Sequence, residues 1–272
     1  MQELLSNPAV QAGLAPFFVA LIAALLFRRI NLSGLAIIAG FAVTIYLASD
    51  FTLLPFTAAR KIVLLALISA ALGLSLTLLQ LRWLDSMLPV LGGAAGIWTV
   101  LRVIEHQPPL VMLLWGAGCA AYVAILVWGT GKLLDKEPLR AAAAATALGI
   151  GTGGAALVGA SALLGQFGFA LGAAAAAHLL IQMIFNRPLP TGRIFTLPLA
   201  VTAGLTACVA VLSARLPWYV LPLLAAIPLA AWSVPLPMRS FRLRILLLSL
   251  LMLAFAAGAI YLTWRVDGNV PF

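Results

Sequence analysis

A long charge-free run of the sequence carries three polar side chains at a helical spacing. His178, Gln182 and Asn186 follow one another at intervals of four residues, and each such step turns an α-helix only about 40° past a full turn. Lipid offers a mid-membrane histidine no hydrogen-bond partner, so His178 can bind a solute or relay a proton. The alternative is that His178 and Gln182 bond to neighbouring helices and Asn186 merely ends the helix. We take His178 and Gln182 as candidate residues of a substrate pathway.

A second polar group lies at the end of the fourth apolar run. Arg102, Glu105 and His106 fall at i, i+3 and i+4, so they share one face of a helix. They would form an outer gate or an anion contact in which Glu105 holds Arg102 in place. The alternative is an ion pair that reaches the membrane interface, where such pairs cost little. Arg102 and Glu105 join the candidate pathway.

A third charged group flanks the loop between the second and third apolar runs. Asp50 precedes this loop, and Arg60 and Lys61 follow it. The three side chains could close over the same outer mouth as Arg102. The alternative is that they are solvated charges at the membrane interface.

No other arrangement of residues predicts chemistry. Paired carboxylates, metal-ligand spacings and nucleophile–base sets are missing from the apolar runs. Cys119 and Cys208 lie inside apolar runs and predict no disulfide framework. Haem ligation by His106 and His178 would need similar depths, and their predicted depths differ. We therefore predict no catalytic residue, no metal and no cofactor.

The composition determines the solvent of the chain. Of 272 residues, 64% are hydrophobic and 8% are charged, whereas soluble domains carry about 25% charged residues. The lipid bilayer must therefore be the principal partner of this surface. The net charge of +9 does not indicate nucleic-acid binding, because the basic residues lie at the ends of apolar runs, as in membrane proteins.

The apolar runs predict an all-α, polytopic integral membrane protein with a bundle of about ten transmembrane helices. The predicted spans are 9–27, 32–49, 62–79, 87–104, 110–128, 141–164, 167–185, 194–213, 219–235 and 245–264. The sequence from 141 to 186 contains no Asp, Glu, Lys or Arg and is too long for one span of about 20 residues. We predict its turn at residues 165–168.

The basic residues predict the orientation. Eleven of the 16 lysines and arginines fall in loops that follow odd-numbered spans. The positive-inside rule places those loops in the cytoplasm and both termini outside. A bacterial-type inner (plasma) membrane suits this pattern.

The chain divides into two predicted halves. Residues 1–131 hold the first five spans, residues 132–140 form a charged cytoplasmic linker, and residues 141–272 hold the last five. An odd number of spans in each half gives inverted halves, an architecture that many secondary transporters share. Spans four and nine occupy equivalent positions, and both contain glycine or proline that would interrupt a helix. Such paired interruptions mark central binding sites, although they also serve packing.

Small residues cover the sixth predicted span. The glycines of this face are Gly149, Gly151, Gly153, Gly154 and Gly159. A smooth surface of this kind allows close helix packing. It would contact either the seventh span or another protein, as a homodimer or membrane-complex interface through helix 6.

These features favour a transporter or permease-like protein for a small, largely uncharged or weakly ionic solute, with its site near spans four, seven and nine. No carboxylate lies inside a predicted span to couple transport to protons or sodium. The alternative is a non-catalytic membrane subunit or assembly factor of a larger complex. The third reading is a membrane-embedded enzyme acting on a lipid, for which only the Arg102 group would serve.

Overall fold

A computed structural model describes residues 7–48, 56–79, 82–213, 216–235 and 240–267. Within these ranges the regular elements are helices, and none is a strand. The helices are α1 (Ala15–Phe27), α2 (Ala36–Ala48), α3 (Ala58–Leu79), α4 (Leu88–Ile104), α5 (Pro109–Lys136), α6 (Pro138–Gly159), α7 (Ala162–Phe185), α8 (Gly192–Ser213), α9 (Val220–Ser233) and α10 (Phe241–Asp267). Short π- or 3-10-helical turns precede α1, α2 and α4 and follow α1.

Seven helices in the described ranges are long and apolar enough to cross a membrane: α1 with its preceding turn, α3, α5, α6, α7, α8 and α10. The other three, α2, α4 and α9, are shorter apolar helices. The fold is therefore that of an all-helical, polytopic membrane protein, as the sequence predicts.

The turn between α6 and α7 lies earlier than predicted. Helix α6 ends at Gly159, and the side chain of Ser161 caps α7 by accepting a hydrogen bond of 3.2 Å from the backbone N–H of Leu164. Serine at this position satisfies an N–H group that the helix leaves free. The prediction of a turn at residues 165–168 is wrong, because Gly165 and Gly168 lie within α7 and pack against α6.

The segment predicted as a charged linker, residues 132–140, is mostly helical. Helix α5 continues to Lys136, and α6 begins at Pro138. Only Glu137 separates them, with an extended backbone. Proline suits the first turn of a helix, where its missing N–H would have no partner.

Helix α8 lies at the centre of the bundle. Its apolar span is fully buried, although its mean hydropathy is high enough for direct contact with lipid. It packs against α3, α4 and α5 from the first half of the chain and against α6 and α7 from the second. The two predicted halves are therefore interleaved around α8.

Basic residues from four connections, together with Asp85 from a fifth, meet at one end of the bundle, which we call the basic end. Its contacts are Arg28 over the ring of Phe185, Arg193 with Asp85, Lys136 with the carbonyl of Trp232, Arg140 with the carbonyls of Ala231 and Val234, and Arg244 with Glu137. Both ends of the described chain lie at the opposite end: Pro8 lines a cavity with Ala162, and Thr263 lies against Gly159.

Candidate functional site

His178 lies where α7 meets α8. Its side chain is fully buried, and its ring centroid is 4.8 Å from that of Phe195 on α8. Neither ring nitrogen has a hydrogen-bond partner among the described residues. A neutral imidazole offers one donor and one acceptor, so His178 presents both inside the bundle.

Two more polar side chains without partners flank His178. Gln182 lies one turn further along α7, is fully buried, and has no partner for either amide atom within the described ranges. Thr191 lies immediately before α8, is 2% exposed, and has no partner there for its hydroxyl. We call His178, Gln182 and Thr191 the polar seam. Each buried polar group without a partner costs about 1–3 kcal/mol, so the seam is a marked departure from ordinary helix packing.

The same stripe of α8 carries two further hydroxyls. Thr202 and Thr206 lie seven and eleven residues after Phe195, which places them within about 20° of it around the helix. Both are buried, and neither hydroxyl has a partner in the part of the chain that the structure describes. Pro198, inside α8, lacks the N–H that would bond to the carbonyl of Ile194. The hydroxyls of Thr202 and Thr206 therefore extend the row of hydrogen-bonding groups along α8, beyond the seam.

Asn186 does not join the seam. It is exposed and ends α7 in the left-handed region, with φ of 51°. Asparagine tolerates this conformation better than most residues. Of the three residues predicted to form one stripe, the structure buries His178 and Gln182 and makes Asn186 a helix cap.

Arg102 and Glu105 lie far from His178 along the membrane normal. Helix α4 begins beside the basic end and carries Arg102 and Glu105 to the opposite end. Both side chains are exposed there, and Glu105 Oε1 lies 3.8 Å from Nε2 of His106. His178 lies nearer the basic end, beside the start of α8. The structure therefore does not bring the two predicted groups into one site.

Helices α4 and α9 are continuous through the residues predicted to interrupt them. In α4, Gly92, Gly93 and Gly96 face α5, where added Cβ atoms would meet Val127, Ala120 and Cys119. In α9, Pro228 remains inside the helix. Of the two alternatives that the sequence left open, the glycines of α4 therefore follow the second, close packing between neighbouring helices.

Lys61 does not behave as a solvated interface charge. Its side chain is 5% exposed and its Nζ donates a 2.8 Å hydrogen bond to the carbonyl of Trp98. The same Nζ lies 4.8 Å from the centroid of the Trp98 ring, a distance at which cation–π attraction acts. The alternative of a solvated charge is therefore wrong for Lys61; Asp50, its predicted companion, lies outside the described residues.

The glycines of the sixth predicted span contact helices of the same chain. Gly149 and Gly153 lie against the backbone of α7, where added side chains would collide with Gly172 and Phe169. Gly154 and Gly159 lie against Ile260 and Thr263 of α10. The contacts of Gly149 and Gly153 are the first of the two packing alternatives that the sequence left open, whereas packing of Gly154 and Gly159 on α10 was not among them.

Three of the cavities among the described residues bear on the site. One is an apolar space of about 460 Å³ between the N-terminal segment and the α6–α7 pair. The second, of about 450 Å³, lies at the basic end beside Asp85, Lys132 and Arg193. The third is an apolar groove of about 1010 Å³ between α5 and α9. His178 and Gln182 line none of these three.

Sequence reasoning missed the contribution of α8. Thr202 and Thr206 are four residues apart in a charge-free run, which could have identified a polar stripe. Thr191 gave no signal, because the loop before α8 contains many polar and proline residues.

Among the described residues, no group of three or more His, Cys, Asp or Glu side chains could hold a metal ion. The chain matches no protein-family model, and no curated protein matches it in sequence.

Proposed function

We propose that this chain is a transporter or permease-like protein for a small, largely uncharged or weakly ionic solute. The observation that carries this proposal is the polar seam, in which the buried side-chain polar atoms of His178, Gln182 and Thr191 lack partners among the described residues. Lipid cannot satisfy such atoms, whereas a passing solute with its own donors and acceptors can.

The chemistry of the seam favours an uncharged solute. Neutral histidine, glutamine and threonine side chains each combine a donor and an acceptor. The runs 141–186 and 194–213, which supply most of α6, α7 and α8, contain no charged residue. A desolvated ion would need an opposite charge or several aligned dipoles in this region. A molecule with hydroxyl or amide groups needs only hydrogen bonds.

The apolar character of the three shorter helices α2, α4 and α9 supports a ten-span, five-plus-five arrangement. In this arrangement α2, α4 and α9 cross the membrane together with the seven longer helices. The solute would then pass along the contact between α7 and α8, where the polar seam lies.

The positive-inside rule supports the orientation. Basic residues lie together at one end of the bundle. By this rule that end is cytoplasmic in a bacterial-type inner membrane, and both termini are outside. The seam then lies in the cytoplasmic part of the bundle, since Thr191 precedes α8 at the basic end.

Proteoliposome swelling in glycerol and in urea tests the proposal, because both probes are small, uncharged and hydrogen-bonding. We expect wild-type protein to accelerate swelling over empty liposomes, and His178→Ala to remove most of the acceleration. His106→Ala is the matched control, since His106 is the other histidine and is exposed at the opposite end. Equal swelling by the wild type and by His178→Ala would overturn the seam as a pathway.

A non-catalytic membrane subunit is the second candidate, and the apolar groove between α5 and α9 favours it. An exposed apolar groove of this size can accept a transmembrane helix as well as lipid chains. Extraction in a mild detergent distinguishes the two functions. A stoichiometric partner protein together with inactive proteoliposomes would favour the subunit, whereas swelling activity of the chain alone would favour the transporter.

A further inference from the structure

The start of α8 lies between the polar seam and the cavity at the basic end. The ring of Phe195 packs against His178, with the two ring centroids 4.8 Å apart. Arg193, two residues earlier, lines the cavity of about 450 Å³. Residues two apart on an α-helix point about 200° from each other, so these two side chains leave α8 in nearly opposite directions. One short stretch of backbone therefore separates buried polar atoms from a cavity.

The seam is closed in this structure. His178 and Gln182 are fully buried, and they line none of the three cavities. A solute therefore reaches their polar atoms only when a neighbouring helix moves. The first turns of α8 are the nearest candidate, because they carry Phe195 and have the basic-end cavity on their other side.

Two backbone features bound these first turns, residues 192–198, which we call the entry segment. Gly192 begins the segment with a φ of 63°, a left-handed conformation that glycine adopts without strain. Pro198 ends the segment inside α8 and cannot donate a hydrogen bond to the carbonyl of Ile194. A few positions at the ends of an element absorb the dihedral changes of a hinge motion. The entry segment has a position suited to this at each of its ends.

Two polar contacts hold the entry segment and the loop before it. Nε of Arg193 lies 2.9 Å from Oδ1 of Asp85, and the two side chains are 19% and 34% exposed. Asp85 belongs to the short helical turn before α4. The hydroxyl of Ser33 donates a 2.6 Å hydrogen bond to the carbonyl of Pro190. Of these two contacts, the Asp85–Arg193 pair is the one made by the entry segment itself, on the side of α8 away from His178.

Neighbouring helices meet the entry segment with glycine. A Cβ atom at Gly73 of α3 would lie 2.8 Å from the carbonyl oxygen of Arg193, and one at Gly131 of α5 would collide with Nη1 of Arg193. Glycine has no side chain to interlock with the segment, so the backbones approach closely. Packed helices can slide past one another in a shear motion, and these smooth contacts suit such a movement.

From these contacts we propose that the Asp85–Arg193 pair regulates access to the polar seam. While the pair holds, the entry segment covers His178 and Gln182. When the pair opens, the segment moves at Gly192 and Pro198 towards the basic-end cavity and uncovers the seam. This inference rests on the proposed transport function, because it assigns the regulation of the same site.

Hydrogen–deuterium exchange of the purified full-length chain in dodecyl maltoside measures this motion without transport. Asp85→Asn removes the negative charge that holds Arg193 and keeps the shape of the side chain. We expect the amides of the entry segment to exchange up to about fivefold faster, the effect of losing one partly exposed ion pair. Amides later in α8 should keep their wild-type rates. In proteoliposomes, the same variant should accelerate swelling in glycerol beyond the wild type.

Pro198→Ala should act in the opposite direction. Alanine supplies the N–H that the carbonyl of Ile194 lacks, so the end of the entry segment becomes continuous with the rest of α8. We expect slower exchange of the segment and slower swelling than in the wild type. Opposite effects of these two substitutions would distinguish a hinged segment from a general loosening of the bundle.

Glu137→Gln is the matched control for the loss of an ion pair. Glu137 pairs with Arg140 and Arg244 at the same end of the bundle, and these arginines lie on α6 and α10. We expect this variant to leave the exchange of the entry segment and the rate of swelling at their wild-type values.

Two results would overturn the proposal. The first is an unchanged exchange rate of the entry segment in Asp85→Asn. The second is equal acceleration of exchange by Asp85→Asn and Glu137→Gln, which would indicate loosening of the whole basic end. Faster exchange in Asp85→Asn alone, together with no swelling activity of the wild type, would overturn the transport function and leave the control of the segment by the pair in place.

Discussion

The two faces of α7 differ in how closely they meet their neighbours. Towards α6, Gly165, Gly168 and Gly172 bring the two backbones into direct contact. Towards α8, His178 and Gln182 present polar atoms that have no partner among the described residues. One helix therefore combines a contact that leaves no space for a methyl group with a contact that leaves hydrogen-bonding capacity unused. Rigid support on one side allows the other side to hold atoms in an unfavourable environment.

Substitution on the glycine face should have the largest effect. Gly153→Leu would drive a side chain into the backbone N–H of Phe169, and overpacking of this kind costs about 3 kcal/mol or more. We expect loss of monodisperse protein in size-exclusion chromatography after extraction. Gly118→Leu is the control, because nothing lies within 4 Å of a Cβ atom at position 118; equal damage by both variants would contradict the comparison.

Substitution on the seam face should have the opposite sign. His178→Leu removes two buried atoms without partners, and each such group costs about 1–3 kcal/mol. We therefore expect a higher thermal unfolding midpoint together with loss of swelling activity. A lower midpoint would show that His178 holds the bundle together, and the two faces of α7 would then both be structural.

The smallest change replaces one hydroxyl on α8. Thr202→Val keeps the shape of the side chain and removes a buried hydroxyl without a partner in the described ranges. We expect stabilisation of about 1 kcal/mol or less. Thr146→Val is the control: its hydroxyl donates a 2.9 Å hydrogen bond to the carbonyl of Ala142, so its loss should not stabilise the protein. Stabilisation of equal size in both variants would show that the polar stripe of α8 has no special environment.

The sequence predicted the helices well because their signals are local. Each predicted apolar run coincides with one helix of the structure, since hydrophobic length and flanking charges determine which segments enter lipid. The turn between α6 and α7 was misplaced because glycine serves both turns and close packing. The capping serine at position 161 was the better signal.

The candidate site depended on contacts that spacing alone does not give. The polar character of His178 and Gln182 was visible in the sequence, whereas the placement of Phe195 beside His178 follows from the packing of α7 on α8. Arg102 and Glu105 were grouped with them because the sequence does not say which helix ends meet. Lys61 was misjudged because a long side chain can reach back along its helix to a carbonyl on a neighbour.

The burial of α8 also has a consequence for biogenesis. This helix is apolar enough to enter the bilayer alone, yet its span has no lipid-facing surface in the finished molecule. After insertion, α8 must therefore move laterally in the plane of the membrane and replace its contacts with acyl chains by contacts with other helices. Its neighbours α3 to α7 all precede α8 in the chain, whereas α6 is covered by α9 and α10 only after those last helices leave the ribosome. A chain truncated before α9 would expose small-residue surfaces to lipid and become a substrate for membrane proteases.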